Sequence, residues 1–223
     1  MSSDNQKKIN SLLKEKKLII FDFDGVIADS VEVKTQAFSE LYSQHGNNVV
    51  KKVIAHHRKN GGMSRFEKFI YYHRFFLGRE LSSFKLNNLS NKFSKIVVQS
   101  VIEANEIPGA LNFLKKCNEE KKICIVNSAT PLKEIKHIVK KRGLDKYFSA
   151  IYGSPKDKTK NLKNALKKFG LSPNDAVFFG DALSDYNAAR NMVIDFVGVG
   201  SNIKSMINKN FKTIFINNFI NLI

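Results

Sequence analysis

Phe21-Asp22-Phe23-Asp24-Gly25-Val26 sets two carboxylates two residues apart, just where the apolar run Leu18-Ile19-Ile20-Phe21 ends. A strand sends alternate side chains to opposite faces, so Asp22 and Asp24 are expected to project together, their Cα atoms about 6–7 Å apart. Like charges held that close at the mouth of a buried strand repel one another. The arrangement makes sense where a divalent cation and a nucleophilic carboxylate are wanted. Three further apolar runs end in reactive groups. Ile123–Val126 leads into Asn127-Ser128-Ala129-Thr130, Ala150–Tyr152 into Gly153-Ser154-Pro155-Lys156-Asp157-Lys158, and Ala176–Phe179 into Gly180-Asp181-Ala182-Leu183-Ser184-Asp185.

These groups have to be positioned by the elements between them. Residues 5–17 read as a short polar helix and Leu18–Phe23 as a buried strand. Asp29-Ser30-Val31-Glu32 has capping-box spacing, with Asp29 as the cap, and Val33, Ala37, Phe38 and Leu41 then share a helical face. Gly46-Asn47-Asn48 is expected to stop that helix. Ser64-Arg65-Phe66-Glu67 is a second capping box, opening a helix with Phe66, Phe69, Ile70, His73 and Leu77 inward. A further helix spans roughly 83–104.

From Pro108-Gly109 onward helices alternate with apolar runs: helices at about 109–119 and 131–142, and strands at 123–126, 150–152, 176–179, 194–199 and 213–216. Continuous apolar strands separated by helices argue for a parallel sheet covered on both faces, with ligands at the carboxyl ends of its strands. The expected fold is therefore α/β: a Rossmann-like, doubly wound parallel sheet with an all-helical insertion. The core comprises residues 1–30 and 107–223, and the insertion residues 31–106.

The ordered set of four strand-end motifs resembles the haloacid dehalogenase-like superfamily of phosphohydrolases. The insertion is similar to the small helical cap of its phosphoglycolate phosphatase and β-phosphoglucomutase branch. The resemblance implies that Asp22 attacks phosphorus to form an aspartyl-phosphate, and that Asp24 protonates the leaving oxygen and then deprotonates water. It implies that Ser128 and the N–H of Ala129 bind phosphoryl oxygens, with Gly25 and Thr130 beside them. Thr130 reads equally well as a plain helix N-cap.

Of the crowded lysines Lys156, Lys158 and Lys160, Lys158 matches the family pattern best as the residue that neutralises phosphate and nucleophile. Asp181 and Asp185, four apart, share a helical face; Asp185 also reads as a helix cap. With Asp22 and the backbone carbonyl of Asp24 they would form an all-oxygen site suited to Mg²⁺. Members of the superfamily that cleave carbon–halogen or carbon–phosphorus bonds lack the second aspartate, so Asp24 favours phosphate esters.

The implied partner is a small phosphorylated metabolite, a sugar phosphate or a phosphoglycolate-like acid, hydrolysed with Mg²⁺. The alternative is a phosphosugar mutase using the same phosphoaspartate, and a third reading is a non-catalytic polyanion-binding protein. Arg58 and Arg65, flanking the Gly61-Gly62 loop, are candidate substrate contacts, whereas His56 and His57 read as solvent-facing.

The charge of +17 and pI near 9.8 come mainly from lysine, since only six of the 37 basic residues are arginines. The lysines are scattered and not interleaved with aromatics, which speaks for a solvated surface or steering of anionic substrates and against nucleic-acid binding. Cys117 and Cys124 read as reduced thiols. No apolar run nears the ~20 residues that span a bilayer, and no signal core follows the polar N-terminus, so a cytoplasmic protein is expected, monomeric or weakly dimeric.

Overall fold

The computed structural model describes residues 3–207 and 213–222. Six parallel strands form one sheet in the order β3-β2-β1-β4-β5-β6: β1 Leu18–Phe21, β2 Ile123–Pro131, β3 Ala150–Ser154, β4 Ala176–Gly180, β5 Asp195–Val199 and β6 Ile214–Ile216. Strand β1 lies mid-sheet, in register with β2 from Leu18↔Ile123 and with β4 from Leu18↔Ala176, and all four of its side chains are buried. A strand flanked on both edges and covered on both faces has no polar side, which is why Leu18-Ile19-Ile20-Phe21 is unbroken apolar sequence.

The two faces separate by alternation. Ile19, Phe21, Cys124, Val126, Val177 and Phe179 enter one core, and Leu18, Ile20, Ile125, Ala176 and Phe178 enter the other. On the first face Phe21 stacks on Phe179 at 5.5 Å between ring centroids, and Phe113 of α6 (Ala110–Glu119) stacks on Phe219 at 5.4 Å. Helix α1 (Ser3–Glu15) also contributes to that core, through Ile9 and Leu13. Helices α8 (Lys158–Phe169) and α9 (Leu183–Asn191) cover the second face with Leu162, Ala165, Leu166, Ala188 and Ala189. The helix α7 (Leu132–Lys141) follows β2, and the short α10 (Ser201–Met206) follows β5.

Between β1 and α6 the chain is helical: α2 Val31–Tyr42, α3 Asn47–Lys59, α4 Arg65–Phe76 and α5 Ser83–Glu103. Here the structure corrects several expectations. Asn47-Asn48 does not merely end a helix but begins α3, whose Val53 and His57 are buried. Helix α2 is capped at Ser30 and not Asp29, without a side-chain capping bond. On α4 the buried face carries Arg65, Lys68, Phe69 and Tyr72, while Ile70 is turned to solvent. The capping box at Ser64 forms, Glu67 N–H donating to Ser64 Oγ at 3.3 Å and Ser64 N–H to Glu67 Oε2 at 3.1 Å; such caps contribute about 1 kcal/mol. Phe38, Phe69, Tyr72 and Phe93 fill the middle of the four helices, with Phe38 and Phe93 4.4 Å apart.

The two connections into and out of the helical segment run side by side. Ala28 and Glu106 form an antiparallel bridge, with Asp29 N–H donating to Asn105 O at 2.8 Å and Ile107 N–H to Ile27 O at 3.0 Å. Arg142, at the end of α7, donates one guanidinium nitrogen to the carbonyls of Val101, Ile102 and Ala104, tying the last turn of α5 to the sheet's helices. Among the described residues no helix is long and apolar enough to cross a membrane.

Candidate active site

Strand β1 ends at Phe21, so Asp22 and Asp24 do not both owe their direction to strand alternation as expected. Asp22 keeps one ladder bond, its N–H donating to Phe179 O at 2.9 Å, and the chain then turns: Ile27 and Ala28 both donate to Phe23 O, and Gly25 N–H donates to Ala28 O at 2.8 Å. Gly25 holds φ at +75°, and a Cβ there would strike the Asp181 carboxylate. The turn still delivers both carboxylates to one cavity, shared with Lys34, Ser128, Ala129, Thr130 and Asp181.

Each motif is fixed by a local device. Asn127, midway along β2, donates to Lys158 O at 3.1 Å and accepts from Asn161 at 3.1 Å, which pins the first turn of α8 against the strand. Asp157 caps that helix, its Oδ1 accepting from Lys160 N–H at 2.8 Å. Lys158 is thereby aimed inward. Its Nζ donates to Asp22 Oδ2 at 2.7 Å and to Asp185 Oδ1. Lys156 and Lys160 stay exposed, and Lys160 lies 3.3 Å from Asp157.

Ser128 is buried and its Oγ accepts from Thr130 N–H at 3.2 Å. Thr130 remains in β2 and is not the cap of α7; its hydroxyl donates to Asp24 Oδ2 at 3.2 Å and accepts from Lys34 Nζ at 2.8 Å. Asp185 does cap in part, accepting from Ala182 N–H at 3.1 Å, and it contacts Lys158 as well.

Charge in this cluster is unbalanced. Oxygens of Asp22, Asp181 and Asp185 lie within 4.8 Å of one another, against the single ammonium of Lys158. Burial, then the neighbouring Asp22 and Asp185, pushes the Asp181 carboxyl well above the usual range, with Lys158 opposing. Burial likewise pushes Asp185 up to about 7, Lys158 again opposing and Asp22 adding to the rise. Burial would lower Lys158, but Asp185 and Asp22 outweigh it and hold the ammonium above its ordinary value. Three hard oxygen donors carrying excess negative charge fit a divalent cation such as Mg²⁺. Asp24 stands apart. Burial would raise its carboxyl, but Lys34, with hydrogen bonds from Ser30 (2.6 Å) and Thr130, holds it below the usual value.

The helical segment closes the other side of the cavity, and there both candidate arginines are engaged by carboxylates. Arg58 and Arg65 were candidates for substrate contact. The structure gives both to carboxylates: Arg58 lies outside the cavity, 3.4 Å from Glu32, and Arg65 lines the cavity but is paired with Glu134 of α7, bonding Ser94 of α5 at 2.7 Å as well. Both members of the Arg65–Glu134 pair are more than nine-tenths buried, so it is a bridge between α4 and α7.

His57, expected in solvent, is buried, and its Nδ1 sits 2.8 Å from Lys68 Nζ. Burial, reinforced by Lys68, pushes the imidazole far below its usual range, so Nδ1 accepts and Lys68 donates. The other partner of Lys68 is Gly61 O at 3.3 Å. Burial, then Lys34, lowers the Lys68 ammonium to about 7 against the pull of Asp181, Asp24 and Glu67.

Lys34, Lys68 and His57 line the cavity and Glu134 holds Arg65 beside them, and sequence reasoning missed all four. A signal existed for two of them. Lys34 stands four residues before the buried Phe38, and Lys68 four before the buried Tyr72, so each lies on the apolar face of its helix where a solvated lysine has no reason to be.

A family model described as haloacid dehalogenase-like hydrolase matches residues 19–199. Among solved structures, β-phosphoglucomutase from Clostridium difficile is similar at 20% identity and TM-score 0.75, covering 91% of this chain and 91% of that one. A predicted phosphoglycolate phosphatase from Haemophilus somnus is similar at 19% identity and TM-score 0.71, covering 93% and 96%. CbbY from Rhodobacter sphaeroides, in complex with xylulose-(1,5)bisphosphate, is similar at 16% identity and TM-score 0.70, covering 92% and 95%. No curated protein sequence matches the chain.

Proposed function

The chain belongs to the haloacid dehalogenase-like hydrolases, and from that premise we propose that it is a Mg²⁺-dependent phosphatase of a small phosphorylated metabolite, working through an aspartyl-phosphate. The observation that carries the reading is the Asp22 carboxylate: buried, held by Lys158 at 2.7 Å, and sharing one cavity with Asp24 and Ser128.

Asp22 would attack phosphorus as the ester P–O bond breaks, and the leaving oxygen takes a proton from Asp24. Asp24 then removes a proton from water, which attacks the phosphoryl group, breaks the aspartyl P–O bond and frees Asp22 and inorganic phosphate. Lys158 holds the nucleophile in place, and the Ser128 hydroxyl and Ala129 N–H, with Thr130 and Gly25 beside them, receive the phosphoryl oxygens. Asp22, Asp181, Asp185 and the carbonyl of Asp24 would hold Mg²⁺, which when bound offsets the charge between phosphate and carboxylate. Lys34 keeps Asp24 ionised, the form that acts as base. Drawing Lys34 onto the substrate would leave burial to favour the protonated acid, the form required for the first step.

Lys68 narrows the substrate. It is a buried cation lining the cavity whose hydrogen-bond partners are a neutral imidazole and a carbonyl. A leaving group carrying a carboxylate or a second phosphate would satisfy it, and the bisphosphate in the CbbY complex is a ligand of that kind. Residues 31–106 would then serve as the cap that confers specificity. A phosphosugar mutase is the second reading, favoured by the likeness to β-phosphoglucomutase.

A panel of phosphorylated acids, sugar phosphates and bisphosphates with Mg²⁺, assayed for phosphate release and for isomer interconversion, tests both readings. Release from acids or bisphosphates with a hydroxylamine-sensitive phosphoenzyme is expected. Inertness across the panel with p-nitrophenyl phosphate included would overturn the phosphatase reading.

A further inference from the structure

We propose that the helical segment holds a second anion site, separate from the catalytic cavity, for a small metabolite bearing phosphate or carboxylate oxygens. The site is a cavity of about 330 Å³ between the C-terminal ends of α2 and α4 and the first turns of α5. That volume falls within the ~300–1,000 Å³ usual for small-molecule sites. It shares no lining residue with the catalytic cavity, and the inference does not rest on the phosphatase reading.

Its floor is polar and unsatisfied. Tyr42 is 1% exposed, yet among the described residues its hydroxyl has no hydrogen-bond partner, and neither does the buried Nδ1 of His73. The rings of His73 and His45 lie 5.9 and 5.8 Å from that of Tyr42. Buried polar atoms without partners are rare, and these two, on residues that line one cavity, are what an occupant drawing the walls about it would satisfy.

The rim says what kind of occupant. Arg79, Lys85 and Lys92 line it and form no ion pair among the described residues. The cavity's one carboxylate, Glu80, lies 3.7 Å from Arg74 instead. Burial, then Arg79, holds both imidazoles below their usual range, His73 at about 4, so near neutrality they are uncharged donors and acceptors. Three free cations above a floor of hydroxyl and imidazole suit a ligand with an anionic end at the rim and a hydroxyl or second oxyanion below.

Imidazole ¹H–¹³C correlation spectra of the chain of 223 residues, titrated separately with inorganic phosphate, pyrophosphate and citrate, test this. His45 and His73 report on the proposed site, and His57 reports on the catalytic one. We expect saturable shifts of His45 and His73 with at least one of the three probes, and the probe that binds most tightly identifies phosphate or carboxylate as the recognised group. The same titration should weaken at least tenfold in the double variant Arg79→Glu, Lys85→Glu, whose sites are both exposed. It should weaken severalfold in Tyr42→Phe, which keeps the ring, and persist in Asp22→Asn. Shifts confined to His57, no saturable shift with any probe, or an affinity unchanged in both cap variants would overturn the proposal.

Discussion

Lys158 and Lys68 are both almost wholly buried, one at the strand ends and one in the helical segment, yet burial leaves them in opposite states. At the strand ends, Lys158 lies between Asp22 and Asp185, and the two carboxylates outweigh desolvation and raise its proton affinity. In the helical segment Lys68 meets His57 and a carbonyl, and desolvation wins, bringing it to about 7. A buried cation with its counter-charge built in is part of a fixed apparatus. One lacking a counter-charge is completed from outside. On the proposed function, the strand ends hold one reaction constant and the helices above them choose the reactant.

Variants of the two regions sharpen or break that contrast. Asp22→Asn should abolish turnover by roughly 10³-fold or more with the fold intact, because an amide cannot attack phosphorus; phosphate release with a matched circular-dichroism spectrum measures it. Lys158→Met leaves buried carboxylates facing one another, and we expect a loss of about 3–5 kcal/mol in urea unfolding together with lost activity. Millimolar Mg²⁺ should recover part of that stability if the acidic cluster holds the ion.

Glu134→Gln strands the Arg65 guanidinium between α4 and α7 and should cost about 3 kcal/mol, which Arg65→Met added to it should partly relieve. Lys68→Met should leave stability and p-nitrophenyl phosphate turnover nearly unchanged while raising KM roughly tenfold for phosphorylated acids.

The wild-type protein should mimic that last change with pH. Lys68, faced by Lys34, His57, Asp24, Asp181 and Glu67, carries its charge below about 7 and loses it above. KM for acid substrates should therefore rise between pH 6 and 8, while that for p-nitrophenyl phosphate stays flat by comparison. Identical profiles for the two substrates would remove Lys68 from substrate recognition. Arg58→Ala should change nothing measurable, since its pair with Glu32 is more than half exposed on both sides.

The sheet and its strand-end groups were legible because both signals are local. Each apolar run shows its strand directly, and each reactive residue follows within a few positions of its end. Lys158 stood out from its neighbours through the family resemblance about Gly153-Ser154-Pro155, and the structure turns it inward while Lys156 and Lys160 stay exposed. The helical segment was harder to read for a physical reason: its important contacts are between helices. Arg65 meets Glu134 across 69 positions, a pairing that no spacing rule reaches. Helix α3 was missed because Asn47-Asn48 looks like a terminator, although Val49, Val53 and His57 recur at four-residue intervals. That stripe already placed His57 inward. In so lysine-rich a chain, Lys34 and Lys68 were hidden by their own abundance.

The two connections that join the helices to the sheet are laced to each other through Ala28 and Glu106. They form a two-ply seam, so neither ply is free to change length by itself. A residue inserted on one side would throw the facing ladder out of step unless matched on the other. Descendants of this chain should accordingly gain or lose length within the helices or their turns, and keep the seam's two plies equal.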